Sequence, residues 1–403
     1  MGANINDYLV WRGDIKISKN HEFNELDSLI LARFAYMLFH KISLNSQESI
    51  KSIAKKMQNF DNSEFLYNGD KELITNLGKA KRFCDMAVTN YEQNNDKTSQ
   101  KQFGAITIHT KKDEIYVSFL GTDNSIFGWN ESFNMAFMQE IPSQICGREY
   151  LNKIAKAYPN KKIRIGGHSK GGNIAVYSAL SADSEIANRV IKIYNYDGPG
   201  FNTKFDLNGI NSDIVSKIQT YIPQDSIIGR LLNHKEKFKV VKSSQKGLLQ
   251  HDIFSWQVLK DDFIYAKSTK TSKNIDKALS AFLVTASDEE LKIAIDTAFR
   301  ILYASNAESF NEILSNLPTA LSNMLREYGK ISSEQKKNII KIATEIILLY
   351  IGILRKQNRA KFKNMQEQYI EFGKSKFKEL GKKYINKFIK EIDDKIDEKK
   401  DKI

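Results

Sequence analysis

The sequence predicts an α/β fold, a three-layer sandwich in which helices cover both faces of a mainly parallel sheet. Short β-rich runs alternate with helical patterns between about residues 103 and 258, and helices at that spacing form the crossovers between parallel strands. Beyond residue 225 only Pro318 interrupts long runs of Lys, Glu, Ile and Leu. Because proline is excluded from helix interiors and these residues favour helices, a helical C-terminal region follows the sheet.

Domain organisation follows from the length of 403 residues and from this shift in composition. We predict an α/β domain over residues 1–265, with a helical N-terminal part over 1–98, and a helical C-terminal region over 266–403. Asp27 and Ser28 precede an apolar run over 29–39 that is typical of a buried helix. Residues 45–95 are expected to form further helices.

Strands are predicted where β-branched and aromatic residues cluster in short runs. These runs are 103–110, 115–120, 162–165, 190–196, 217–222, 238–241 and 254–258. The first two are separated by Lys-Lys-Asp-Glu, which is typical of a hairpin. Helices are expected near 143–157 and from residue 170 to about 183.

The most informative motif is Gly-His-Ser-Lys-Gly at residues 167–171. It follows an alternating apolar run and precedes a helical pattern, so Ser169 stands at the apex of a strand, turn and helix. This fits the G-x-S-x-G nucleophile elbow of α/β-hydrolases, in which small residues let strand and helix pass closely. The helix N-terminus also offers backbone N–H groups to a developing oxyanion. Ser169 is therefore the predicted nucleophile.

A nucleophilic serine needs a base, and the base needs a group that fixes its tautomer. In α/β-hydrolases the acid and the histidine follow the serine along the chain, which leaves His234 and His251, since His168 lies inside the elbow. His251 is preferred because it precedes a strand-like run, whereas His234 lies in a charged, turn-like stretch. Asp225, at a predicted strand end, is the preferred acid. Asp197, which also follows a predicted strand, is the second candidate. It is less favoured because its Asp-Gly pair is typical of an ordinary turn.

A series of motifs resembles class 3 (fungal-type) lipases and, more narrowly, a bacterial lipase-like family of unknown function. The motifs are Phe-Leu-Gly-Thr-Asp from residue 119, Trp-Asn-Glu from 129, the elbow, Tyr-Asp-Gly-Pro-Gly from 196, an Asp near a Pro, and a late His. The similarity covers roughly residues 5–262. It implies an α/β-hydrolase fold and a catalytic triad of Ser169, Asp225 and His251.

The resemblance also implies an oxyanion hole formed by Thr122 and the backbone N–H of Lys170. Two departures concern the substrate: Lys170 replaces an apolar residue, and Leu120 replaces an Arg that often precedes Gly-Thr. Residues 126–138 are rich in apolar side chains. They form either a lid or acyl-chain wall, or an amphipathic helix packed on the core.

The predicted function is hydrolysis of an ester, of a lipid or another acyl compound, through an acyl-enzyme. The alternative is a catalytically idle hydrolase fold that serves as a membrane- or protein-binding module. We expect neither a cofactor nor a metal ion to take part.

The net charge of +13 is compatible with anionic lipid, acidic protein or nucleic acid as a partner. Residues 355–390 contain twelve basic and three acidic residues, with apolar residues at steps of three to five. That pattern is typical of a basic amphipathic helix on an anionic membrane, or of a solvated helix packed on a bundle. Nucleic acid is disfavoured, because no motif of a nucleic-acid-binding fold accompanies the segment.

The cellular location of the protein is indicated only by weaker signals in the sequence. The stretch 339–354 contains Lys341 and Glu345 and is shorter than the roughly 20 apolar residues that a membrane span needs. Cys84 and Cys146 are too few for a disulfide framework, and the N-terminus lacks the regions of a signal peptide. A cytoplasmic location is expected, with peripheral membrane attachment as the open alternative.

Overall fold

The computed structural model of the chain describes residues 2–207, 209–210 and 212–357. The strands are β1 (Gln47–Ser49), β2 (Ala87–Asp96), β3 (Lys101–Lys111), β4 (Glu114–Phe119), β5 (Lys162–His168), β6 (Val190–Tyr196), β7 (Ile218–Pro223), β8 (Phe238–Val241), β9 (Val258–Leu259) and β10 (Asp262–Phe263). The helices are α1 (Ile5–Arg12), α2 (Glu25–Phe34), α3 (Ile50–Met57), α4 (Asp70–Leu77), α5 (Ile126–Asn134), α6 (Pro142–Ala157), α7 (Lys170–Leu180), α8 (Ser184–Arg189), α9 (Ser212–Ser216), α10 (Lys270–Thr285), α11 (Asp288–Tyr303), α12 (Phe310–Ser315), α13 (Leu317–Lys330) and α14 (Ser333–Gln357).

Strands β1 to β8 form one sheet in chain order. The pairs from β1 to β4 are antiparallel, and those from β4 to β8 are parallel. The carboxyl ends of β4 to β8 therefore meet at one edge of the sheet, where ligands bind in open α/β sheets. Strand β5 carries the elbow and lies between β4 and β6.

Helices cover the sheet on both faces, as the sequence predicts. On one face, helices of the N-terminal part pack on alternate strand residues that include Ile106, Ile108, Tyr116, Tyr194 and Tyr196. On the other face, α6 and α7 pack on the intervening residues, among them Phe103, Val117, Ile163, Ile165 and Ile193. Every residue of β4 is buried, because a strand covered on both faces has no solvent-facing side.

Six of the predicted strands are confirmed to within a few residues as β3 to β8. Two expectations are wrong. Residues 87–95 are not helical but lie in β2, where pairing along β3 overrides a sequence with little alternation in its second half. Phe254 and Ser255 lie in a short 3-10 helix rather than a strand. In addition, the buried helix predicted over the apolar run 29–39 is shifted toward the N-terminus. It starts at Glu25, capped by Asn24, and ends at Phe34.

The C-terminal region is helical, as predicted, over its described residues. The chain up to Ile346 forms one compact unit that includes α10 to α13, so the division at residue 265 stays a prediction. Within the described part of the chain, no helix combines the length and apolar character needed to cross a bilayer. From residue 358 onward, the basic segment predicted over 355–390 lies outside the described residues.

Candidate active site

Ser169 occupies a sharp turn between β5 and α7. Its backbone has φ 58° and ψ −134°, a combination that L-residues rarely adopt and that marks a strained functional turn. Its N–H donates to the Tyr196 carbonyl at 2.9 Å, which ties the turn to β6. The serine is 8% exposed. This is the geometry of a nucleophile elbow.

The flanking glycines are required by close backbone approach. A Cβ on Gly167 would lie 2.3 Å from the Gly171 carbonyl carbon, and a Cβ on Gly171 would lie 2.3 Å from the Phe119 carbonyl oxygen. Neither backbone neighbour can move without shifting a strand or a helix. The placement of a glycine two residues before and two residues after Ser169 therefore has a steric cause.

His251 reaches the same edge of the sheet from the end of a short 3-10 helix (Gly247–His251). Its Nδ1 lies 2.7 Å from Asp197 Oδ2, and its ring packs at a tilt against that of His168, with the centroids 4.5 Å apart. Because the carboxylate can only accept, His251 carries its proton on Nδ1 and leaves Nε2 free as a base. Among the described residues, none forms a hydrogen bond with Nε2, Ser169 included. The hydrogen bond between a nucleophilic serine and its histidine base is often long or poorly aligned in unliganded enzymes.

Asp197 is held in place by three further hydrogen bonds. Its carboxylate accepts from the Ser226 hydroxyl at 2.5 Å and from the Gly229 N–H at 3.2 Å, and its own N–H donates to the Tyr221 carbonyl at 2.8 Å. The residue is 1% exposed and has φ 51°. The carboxylate that orients His251 is thus rigid and buried.

The predicted pairing of Asp225 with His251 is corrected by this geometry. The Asp225 carboxylate accepts from the Thr269 hydroxyl and, at 3.4 Å, from Gln250 Nε2. Its N–H donates to Gln250 Oε1 at 2.8 Å. Asp225 therefore braces the residue before His251 instead of contacting the imidazole.

The correction has a topological reason. Asp197 directly follows β6, which pairs with β5, whereas Asp225 follows β7, one strand further from the elbow. Neighbouring strands lie about 4.8 Å apart, so the end of β6 is within side-chain reach of His251, whose ring packs against His168 at the end of β5. A signal was available in the sequence: the Asp after the strand following the nucleophile was the alternative, but its Asp-Gly pair suggested a turn.

His234 belongs to a different environment. Its Nδ1 lies 3.1 Å from Glu236 Oε1, and its ring packs edge-on against Phe238. Its Nε2 is buried, with no hydrogen-bond partner among the described residues. His234 lies four residues before β8, and its hydrogen bond and ring contact do not involve Asp197 or His251.

The loop that contains Thr122 lies against the elbow. A Cβ on Gly121 would be 2.3 Å from the His168 carbonyl oxygen and 3.1 Å from the Gly171 nitrogen. The backbone N–H of Thr122 has no acceptor among the described residues. Lys170 opens α7, and the first N–H groups of a helix lack intrahelical acceptors. The residue before Thr122 is thus packed against the two residues, His168 and Gly171, between which Ser169 and Lys170 lie.

The Thr122 hydroxyl is already engaged. It lies 2.6 Å from the Ser132 hydroxyl, which itself donates to the Gly128 carbonyl at 2.9 Å. Since Ser132 has a single hydroxyl proton, Thr122 must donate to Ser132. In this conformation the N–H of Thr122, and not its hydroxyl, is available to an oxyanion.

The Lys170 side chain forms a buried ion pair that the sequence did not predict. Its Nζ lies 2.5 Å from Glu131 Oε2 and also donates to the backbone and side-chain oxygens of Gln102, at 2.9 and 3.0 Å. The side chains of Lys170 and Glu131 are 1% and 0% exposed. The ammonium group thereby connects the elbow to α5.

Residues 126–138, for which a lid and a packed helix were both open, form α5 and the turn after it. Ile126 and Trp129 belong to an apolar cluster with C-terminal residues that include Phe299, Phe310, Ile313 and Ala320. The backbone joins the two parts through Ile126 N–H to Glu308 O, at 2.9 Å, and Phe310 N–H to Asn124 O, at 3.1 Å. In this conformation the segment is a packed helix.

Among the described residues, no group of three or more His, Cys, Asp or Glu side chains is arranged to hold a metal ion. The reactive side chains at this edge of the sheet are those of Ser169, His251 and Asp197.

Several solved structures are similar to this chain in fold. One is the lipase from Rhizopus microsporus var. chinensis, at 12% identity over 61% of this chain and 79% of that one, with a TM-score of 0.35. Another is the Lip2 lipase of Yarrowia lipolytica, at 11% identity over 53% and 93%, with a TM-score of 0.30. A third is a fungal lipase–inhibitor complex, at 16% identity over 54% and 76%, with a TM-score of 0.34.

Among curated proteins, none matches this chain. A family model described as Mbeg1-like matches residues 77–300, more than half of the chain. The matched range includes Ser169, Asp197 and His251, and it confirms the predicted resemblance to a lipase-like family. The chain belongs to the Mbeg1-like family.

Proposed function

We propose that the protein is a serine hydrolase that cleaves an acyl ester through an acyl-enzyme intermediate. The observation that carries the proposal is the Asp197–His251 hydrogen bond beside a serine in a strained elbow. A buried carboxylate, an Nδ1-protonated imidazole and a serine at a helix N-terminus form the set that acyl transfer requires.

In the proposed mechanism, Ser169 Oγ attacks the ester carbonyl carbon while His251 Nε2 takes the hydroxyl proton. Asp197 stabilises the imidazolium that forms. The N–H groups of Thr122 and Lys170 stabilise the oxyanion. The intermediate collapses, the ester bond breaks, and the departing alcohol receives the proton from His251. Water then attacks the acyl-enzyme by the same route and releases the acid.

The surroundings favour an apolar acyl group. The Thr122–Ser132 hydrogen bond places α5 beside the proposed oxyanion site, and Phe127 and Met135 on and after this helix are largely buried. From these apolar residues near the oxyanion loop we infer an apolar acyl group, since a charged acyl group would be desolvated without a partner.

A fluorophosphonate probe tests the proposal directly. We expect covalent labelling of the native chain, none in Ser169→Ala, and full labelling in the control Ser181→Ala, which removes a serine just after α7. A series of p-nitrophenyl esters of increasing acyl length then measures substrate preference. Absence of both labelling and hydrolysis in the folded wild-type protein would refute the proposal and favour the non-catalytic binding module.

A further inference from the structure

His168 is a buried histidine that the proposed mechanism does not use. It is 1% exposed and directly precedes Ser169 in the chain, and its ring packs against that of His251 at an interplanar angle of 35°. Its Nε2 lies 2.9 Å from the backbone carbonyl oxygen of His251. A fully buried polar side chain aimed at the backbone of a functional residue requires an explanation.

The hydrogen-bond partners define the protonation state of this ring. A carbonyl oxygen only accepts, so the proton of His168 lies on Nε2. Burial, together with the nearby His251 and Arg33, lowers the pKa of His168 well below its usual value, so the ring stays neutral. It therefore provides a fixed N–H donor without adding charge beside the imidazolium that forms during catalysis.

Tyr36 fixes His168 from the other side. Its hydroxyl donates to the His168 carbonyl oxygen at 3.0 Å and lies 3.4 Å from Nδ1. The same hydroxyl lies against Gly121, because a Cβ built on that glycine would be only 2.0 Å from the Tyr36 hydroxyl oxygen. The Tyr36 ring stacks on the Arg33 guanidinium, which Asp70 binds through two hydrogen bonds. One hydroxyl thus contacts both the elbow and the oxyanion loop.

We propose that His168 is a positioning residue that holds the His251 main chain and ring in the arrangement needed for proton transfer, and that Tyr36 holds His168. This inference rests on the proposed function. Without the Nε2–H bond, the segment that carries His251 would lose its anchor to the elbow, and the imidazole would no longer be held firmly against Asp197. A base that is displaced by about 1 Å costs on the order of 100-fold in rate.

Three substitutions of His168 separate positioning from packing. His168→Leu keeps apolar bulk but removes the donor, His168→Gln keeps an amide N–H near the position of Nε2, and His168→Asn places its amide too close to the backbone to reach His251. We expect kcat to fall about 10- to 100-fold in the Leu and Asn variants, with KM changed less than about threefold. The Gln variant should recover most of kcat.

Matched controls are available in the same chain. His109→Gln changes a histidine on β3 that contacts Thr89 and Lys161, and it should leave kcat unchanged. Tyr36→Phe should lower kcat, whereas Tyr67→Phe should not, although both rings flank Arg33, at 4.4 and 4.3 Å. Wild-type kcat in folded His168→Leu, or equal kcat in the Gln and Asn variants, would overturn the proposal.

A second measurement does not depend on turnover. The His251 Nδ1–H that bonds Asp197 should give a downfield proton NMR signal in the wild type and in His168→Gln. In His168→Leu the signal should broaden or disappear, because the imidazole is no longer held. An unchanged signal in His168→Leu would contradict the positioning role. If wild-type protein neither hydrolyses esters nor reacts with the probe, the proposed function fails while this measurement still decides the role of His168.

Discussion

Asp197 Oδ2 lies 2.7 Å from His251 Nδ1, while the Asp225 carboxylate turns away to Thr269 and Gln250. The two aspartates follow adjacent strands, so a difference of one strand decides which of them orients the base.

Asp197→Asn should reduce kcat on a p-nitrophenyl ester by about 10⁴-fold, because an amide at this position favours the wrong tautomer of the histidine. Asp225→Asn should keep kcat within about tenfold, since its carboxylate only braces Gln250. Steady-state kinetics of the two variants, with circular dichroism to verify folding, makes the comparison. A severe loss in Asp225→Asn with activity kept in Asp197→Asn would reverse the assignment.

Thr122→Val tests whether the oxyanion donor is an N–H group or a hydroxyl. The variant keeps the backbone N–H and loses only the hydroxyl that donates to Ser132. We expect kcat to fall less than about tenfold, whereas loss of an oxyanion donor typically costs 10²–10³. Ser132→Ala is the control, because it leaves the Thr122 hydroxyl in place. A fall of 100-fold in Thr122→Val alone would assign the hydroxyl to the oxyanion.

The Lys170–Glu131 pair should contribute strongly to folding. Removing one partner leaves an uncompensated buried charge, so Lys170→Met or Glu131→Gln should lower the free energy of unfolding by about 3–5 kcal/mol. The double variant Lys170→Met/Glu131→Gln should lose less than the two single losses added together. Lys292→Ala, from an exposed pair with Asp296, should cost at most about 1 kcal/mol. Urea unfolding measures all four, and additive losses would argue against coupling.

His168 should make the stability of the fold pH-dependent. Its pKa in the folded protein is well below the ordinary value of 6.5, so below that pH the unfolded chain binds a proton that the folded chain does not. Its contribution is therefore complete above pH 6.5 and declines as the pH falls, by up to about 1.4 kcal/mol per pH unit.

The difference in free energy of unfolding between wild type and His168→Gln isolates this effect, since all other groups are common to both. We expect this difference to be constant above pH 7. Between pH 6.5 and 5 the free energy of unfolding of the wild type should fall relative to that of the variant. A difference that stays constant down to pH 5 would mean that His168 titrates normally in the fold.

The basic segment over 355–390 is proposed to bind anionic membranes. Each basic residue near such a surface contributes roughly 1 kcal/mol, and added salt screens the attraction. Deletion of residues 358–403 should weaken sedimentation with phosphatidylglycerol vesicles and spare hydrolysis of a soluble short-chain ester. Phosphatidylcholine vesicles and high salt are the controls. Equal binding to both lipids, or to neither, would remove the membrane from the proposal.

The sheet could be predicted well because its signals are local. The runs that became β3 to β8 carry their own β-branched and aromatic residues, and the small residues around Ser169 are demanded by contacts within a few ångströms of the turn. Strand β2 could not be predicted in the same way. Its polar second half becomes a strand because β3 pairs with it, and that pairing lies outside any local window.

The sequence by itself determined the α/β sandwich and the strand, turn and helix at Ser169, because each depends on residue type and local spacing. The tertiary structure alone decided three further points: that Asp197 faces His251, that Lys170 pairs with Glu131, and that His168 binds the His251 main chain. Each of these contacts joins elements that are distant along the chain or that compete for one partner. Which side chains meet depends on which strand ends are neighbours in space. The spacing of residues along the sequence does not specify the distance between those strand ends.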